Sequence, residues 1–204
     1  LPGHGESAHI AASIEESARL LVATGGSAVY VGYSLGARIT LRALVDHSPK
    51  VRGVVSISGT AGLEDESERR ARIIADDQLA ERLAVIGVSA FLDDWLAQPL
   101  FADLTRDQAG LTERLGNTTT GLAMSLRHCG QGRQEPLWGD LRTSSRPLLA
   151  IAGSLDDKYV ALARRLATTT PHGTLTLVPG AGHGTPQAKP HAIVEAILDW
   201  LPSE

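Results

Sequence analysis

The chain has 204 residues, 43% of them hydrophobic, and a formal charge of −4. That is one globular domain with a sizeable core, not a disordered segment and not a basic surface made for nucleic acid. A single cysteine, Cys129, excludes an internal disulfide and suits a reducing, cytoplasmic setting; no apolar stretch is long enough for a membrane span, and no signal-peptide pattern is visible.

In chain order, residues 7–22 read as a helix with Ile10, Ile14, Leu20 and Leu21 as its apolar stripe. Ala28 to Val31 read as a short buried strand and Arg38 to Val45 as a helix. Between them stands Gly32-Tyr33-Ser34-Leu35-Gly36, a G-x-S-x-G pattern in the strand-then-helix context of a nucleophile elbow. A side chain at either glycine is expected to crowd the neighbouring elements. Val54 to Ile57 read as a second strand. Residues 62–141 break the rhythm: they are helix-rich and long for a connection, which suggests a helical lid inserted over the site. Within them Asp65–Arg69, Glu66–Arg70 and Glu68–Arg72 stand at i,i+4 spacing. Leu148 to Ala152 and Leu175 to Val178 read as two further strands, residues 157–167 and 190–201 as helices. Strands alternating with helices imply an α/β fold with a mostly parallel sheet. The expected organisation is a core half over 1–61, the lid over 62–141 and a second core half over 142–204.

A serine hydroxyl needs a base to take its proton, and the base needs an acid to orient it. Elbow-type enzymes carry these in the order Ser, Asp or Glu, His. Here Asp156 follows the third strand and His183 the fourth, both just past strand carboxyl ends, where open α/β sheets place their sites. Asp157 is the adjacent alternative, and Asp156 is also placed to cap the helix after it. His9, His47, His172 and His191 read as surface residues. No histidine pair has metal-ligand spacing with a nearby acid, so neither metal nor cofactor is expected.

With these residues in place, the chain resembles the α/β-hydrolase superfamily along its full length. Leu1-Pro2-Gly3-His4-Gly5 is similar to the D-x-P-G-H-G turn after the fourth strand of that fold. Within it, the chain is similar to the 2-succinyl-6-hydroxy-2,4-cyclohexadiene-1-carboxylate synthase family of menaquinone biosynthesis. Four stretches carry the narrower likeness: the elbow through Arg38, Gly62 through Asp76 with Arg69 and Arg72, Trp95 to Phe101, and Gly121 to Arg127; Gly153 to Tyr159 adds to them.

The resemblance implies a lyase that removes a ring proton from an enolpyruvyl cyclohexene polycarboxylate and expels pyruvate. Ser34, polarised by His183 and Asp156, then acts as base, and the N–H of Leu35 as one oxyanion donor. A small polycarboxylate calls for guanidinium groups. The resemblance offers Arg38, one helical turn past Ser34, and Arg72, with Arg114 and Arg127 as further candidates. Trp95 and Tyr33 are carried over as pocket wall and substrate contact. Arg72 paired with Glu68 on a solvated face, and Trp95 as lid core, remain the competing readings. The resemblance also implies strands and a His-Gly-rich oxyanion loop ahead of Leu1, so the sequence is expected to be part of a longer enzyme whose first strand here is otherwise a bare apolar edge. Gly184-Thr185-Pro186-Gln187 stands where the family commonly has a second histidine. A carboxylic-ester or thioester hydrolase of the same fold, and an inactive fragment, are the alternatives. Nothing in the sequence bears on oligomeric state.

Overall fold

The computed structural model describes residues 1–105 and 107–201. Among them four strands form one parallel sheet in the order β1-β2-β3-β4: Ala28–Tyr33, Val51–Ile57, Leu148–Gly153 and Gly173–Val178. β3, Leu-Leu-Ala-Ile-Ala-Gly, is buried at every position, as expected of an inner parallel strand covered on both faces. β1 is an edge strand, and its Val31 is 52% exposed.

Helices α1 (Ile14–Gly25) and α2 (Leu35–Asp46) flank β1, and α3 (Glu66–Leu96) follows β2. Two short helices and a longer one come next: α4 (Leu111–Leu115), α5 (Thr119–Cys129) and α6 (Trp138–Leu141). α7 (Asp157–Thr169) joins β3 to β4, and α8 (Thr185–Ala188) and α9 (Pro190–Trp200) close the chain. One face of the sheet packs Tyr30, Val54, Leu148 and Ala150 against α1, α2, α6 and α7. The other packs Val55, Ile57, Leu149 and Ile151 against Ile193 and Ile197 of α9.

α1 starts seven residues later than the periodicity predicts. Ser13 accepts the Glu16 N–H and caps it, and residues before that form a 3-10 turn (Gly5–Ser7) and extended chain. Its inward stripe is accordingly Ile14, Ala18, Leu21 and Val22, with Ile10 outside the helix. Residues 62–141 hold only helices and turns among those described. α3 breaks at Gly87 (φ 76°), and its two arms enclose a separate apolar cluster of Ala80, Leu83, Phe91 and Leu92 with Ala123 of α5. Trp138 and Leu141, by contrast, belong to the cluster under the sheet.

Candidate active site

The serine at the head of α2 sits at φ 52°, a left-handed conformation rare for a side-chain-bearing residue. Its N–H donates to the Ile57 carbonyl at 2.9 Å, which ties the turn to β2. Gly32 permits this turn: a Cβ there would lie 2.3 Å from the Gly36 carbonyl oxygen. Gly36 differs from the sequence expectation, since a Cβ there meets nothing within 4 Å. The elbow needs its first glycine for space; the second faces the open pocket. The N–H of Leu35 belongs to the first turn of α2, where peptide N–H groups lack intrahelical acceptors, and Leu35 lines the same pocket.

Three loops after β1, β3 and β4 bring Ser34, Asp156 and His183 together. His183 Nε2 lies 3.1 Å from Ser34 Oγ, and Nδ1 lies 3.1 Å from Asp156 Oδ2. With Nδ1–H donating to the carboxylate, Nε2 is free to accept the serine proton. Asp156 fills both roles that the sequence left open. Its Oδ1 accepts the Tyr159 N–H at 3.2 Å and caps α7, while Oδ2 faces the imidazole. Asp157 is the first residue of α7 and points to solvent. The His183 side chain is only 2% exposed. Rings of Tyr159, Tyr33 and Phe101 surround it at centroid distances of 4.4, 5.5 and 6.0 Å. Burial raises the pKa of both tyrosines, so their phenols stay neutral hydrogen-bond donors.

A cavity of about 460 Å³ opens over Ser34, walled by core loops below and by α3 and α5 above. Arg38 reaches into it from α2. Its guanidinium donates to the Cys129 carbonyl at 2.7 Å and to Gln134 Oε1 at 3.3 Å, and burial pushes its pKa down to about 10. Both of these acceptors are neutral, so the charge remains uncompensated by them. Arg72 also lines the cavity. Its partner is Asp76, at 2.9 Å, rather than Glu68, and Nη1 donates to Gln131 Oε1 at 3.3 Å. Asp76 is 2% exposed. Arg114 lines the cavity beside His4 and Tyr33, anchored by Nε to the Ala109 carbonyl. Trp95 is both wall and lid core: it stacks on Phe91 at 5.7 Å and faces the cavity.

Arg127 is a correction. Leu122, Ser125, Leu126 and Cys129 of α5 face the cavity, and Arg127, about 100° round the helix from Leu126, is exposed and outside it. The sequence reading also missed Tyr159, Gln131 and Ser58. Tyr159 was legible in principle, three residues past Asp156 on the capped first turn of α7. Ser58, at φ 48°, donates to the His183 carbonyl at 3.1 Å; neither its conformation nor its partner 125 residues away leaves a sequence signal.

The sequence pattern of the alpha/beta hydrolase family matches residues 1–196. The chain belongs to the α/β-hydrolase family. Within that family it is 34% identical over 98% of its length to the 2-succinyl-6-hydroxy-2,4-cyclohexadiene-1-carboxylate synthase of Enterobacter sp. (strain 638), covering 79% of that protein. A Bacillus subtilis (strain 168) protein provisionally named for the same synthase is 32% identical over 85% of the chain. This hydrolase-family chain spans 65% of the Bacillus protein's length. Among solved structures, MenH from S. aureus superposes with a TM-score of 0.89 at 27% identity, covering 98% of this chain and 80% of that one.

Proposed function

We propose that this chain is the catalytic part of a 2-succinyl-6-hydroxy-2,4-cyclohexadiene-1-carboxylate synthase, a lyase that expels pyruvate from an enolpyruvyl cyclohexene polycarboxylate in menaquinone synthesis. The observation that carries the proposal is the coincidence of a hydrogen-bonded Ser34–His183–Asp156 series with a guanidinium, Arg38, whose two hydrogen-bond acceptors are neutral, in one cavity. The hydroxyl transfers its proton to Nε2 and takes the ring proton of the substrate. Asp156 stabilises the imidazolium while the carbon–oxygen bond to the enolpyruvyl group breaks and the ring gains its second double bond; the imidazolium gives its proton to the departing enolpyruvate, which tautomerises to pyruvate, and His183 returns to its neutral form. Negative charge builds on the substrate's carbonyl-type oxygen during this step, and the Leu35 N–H at the positive end of α2 is placed to receive it. Arg38, Arg72 and Arg114 hold the carboxylates, with Arg38 nearest the elbow in sequence. Tyr33 and Trp95 shape the wall. No metal or cofactor enters the scheme, and a reducing cytoplasm suits the buried Cys129 thiol.

Incubation of the protein with the enolpyruvyl cyclohexene substrate and a pyruvate assay tests this. Pyruvate released by wild type and lost in Ser34→Ala is the expected outcome. Rapid turnover of simple carboxylic esters or thioesters with no pyruvate formed would identify a hydrolase of the same fold instead.

A further inference from the structure

The lid touches the His183 loop at a polar point that the mechanism above does not use. After a 3-10 turn at Pro99–Phe101, Asp103 and Leu104 come against Gly182 and Gly184. The Gly182 N–H donates to Asp103 Oδ2 at 2.6 Å, a short, charge-assisted bond to the peptide just ahead of the imidazole. The fit leaves no slack. A Cβ on Gly182 would lie 2.5 Å from Asp103 Oδ1, and a Cβ on Gly184 would lie 2.5 Å from Leu104 Cδ1. On the other side, Ser58 Oγ holds the His183 carbonyl at 3.1 Å. Phe101, two residues before Asp103, sets its ring edge-on to the imidazole at 6.0 Å, an interplanar angle of 74°. Asp103 itself does not line the cavity.

We propose that Asp103 is a positioning residue: its carboxylate, through the Gly182 N–H, fixes the loop that aims His183 Nε2 at Ser34. The imidazole is thus gripped by its own backbone from both sides, from the core by Ser58 and from the lid by Asp103. Neither contact uses the imidazole nitrogens, which stay free for Ser34 and Asp156. The lid segment therefore does more than wall the cavity, because it sets the register of the proton relay.

The inference rests on the functional reading only in assigning His183 to catalysis, and one of its two readouts needs no substrate. Asp103→Ala removes the acceptor; Asp103→Asn keeps an oxygen for the Gly182 N–H and removes the charge. Misplacing a reacting group by about 1 Å costs as much as about 100-fold, so Asp103→Ala is expected to lower kcat for pyruvate release about 10- to 100-fold, with KM changed less than about twofold. Asp103→Asn should recover most of that loss. In the resting protein, the ring-proton NMR resonances of His183 are displaced by the three aromatic rings around it. They should move in Asp103→Ala and hold their wild-type positions in Asp103→Asn. Gly182→Ala, which pushes the same two groups apart from the other side, should reproduce the Asp103→Ala shifts. Unchanged kcat and unmoved resonances in Asp103→Ala would overturn the proposal. So would a rise in KM alone, or equal damage from Ala and Asn. If wild type releases no pyruvate, the functional proposal fails, while the His183 resonances still decide the role of Asp103.

Discussion

Replacing Arg38 by Met should cut activity sharply without unfolding the protein. Burial brings the guanidinium's pKa down from its ordinary value to about 10. At about 1.4 kcal/mol per pKa unit, holding the charge inside the fold costs on the order of 3 kcal/mol. Met removes that cost and fills similar space. It also leaves the Cys129 carbonyl and Gln134 Oε1 without their donor, a loss of about 1–3 kcal/mol. The two terms nearly cancel. For a domain of this size about 1 kcal/mol moves the melting temperature by about 2–4 °C, so the variant should melt within about 6 °C of wild type. Activity should behave differently. A substrate carboxylate desolvated opposite Met loses its charged partner, which costs about 2–5 kcal/mol, so kcat/KM should fall by at least about 30-fold. The pH dependence has a defined sign. The pKa is lower in the folded than in the unfolded state, so the folded protein sheds this proton first. The penalty is therefore full below about pH 10 and fades as pH rises through 10 toward the ordinary guanidinium value, and only in that window does wild type gain on the variant. Calorimetry and pyruvate release on the same preparations decide the matter. A melting temperature lowered by more than about 10 °C, with activity per folded molecule intact, would refute the reasoning and make Arg38 a structural residue.

Gly32→Ala and Gly36→Ala should separate the two elbow glycines. The first drives a methyl to 2.3 Å from a backbone oxygen and should cost several kcal/mol, whereas the second meets open space and should leave the melting temperature unchanged or higher, as Ala is the better helix former by about 1 kcal/mol; equal melting temperatures would contradict the close approach. Tyr33 carries a pKa raised by burial, so its phenol contributes stability that is present below the unfolded value near 10 and lost as pH rises toward the folded one. Tyr33→Phe should therefore lose less stability than wild type between about pH 9 and pH 11 in urea titrations, and parallel losses would show that this phenol ionises freely in the fold.

The four strands were legible because parallel strands covered on both faces are near-continuous apolar runs, and Val54 to Ile57 and Leu148 to Ala152 are such runs. Their ends were less so: Val51, Arg52 and Gly53 continue β2 without an apolar run to mark them. The start of α1 was misread because Ile10 keeps helical spacing with Ile14, although the Ser13 cap, with Glu16 three residues on, marks the true boundary. The Ser–His–Asp series was legible from position, since each member follows a strand end. The arginines were legible only as types. Arg72 and Arg127 both fall in lid stretches that carry the family likeness, yet one lines the cavity and the other faces solvent. The difference is helix phase, and phase depends on where α3 and α5 start and on the break at Gly87. The Asp103–Gly182 contact joins residues 79 apart in sequence, through a backbone donor that no side-chain pattern reveals.

The way lid and core are joined bears on how substrate affinity arises. The lid's own apolar cluster, around Leu83 and Phe91, is separate from the two clusters that sandwich the sheet. At the lid's end, Cys129, Leu137, Trp138 and Leu141 join the apolar cluster under the sheet, and polar groups add to the junction: Arg38 from the core to Cys129 and Gln134, Asn117 Oδ1 to the Gly5 N–H, and Asp103 to Gly182. Arg38 is at once a bond between lid and core and a cavity cation whose hydrogen-bond acceptors are neutral. A carboxylate bound beside it draws on the same guanidinium that holds the end of α5, so substrate binding and lid placement share one group and cannot vary independently. Arg72 is different: Asp76 neutralises and orients it from within the lid, and it can meet a carboxylate without disturbing the junction. Loss of Arg72 should therefore weaken substrate binding and strip the buried Asp76 carboxylate of its cation within the lid, whereas loss of Arg38 should loosen the wall that confines the substrate at the lid–core junction.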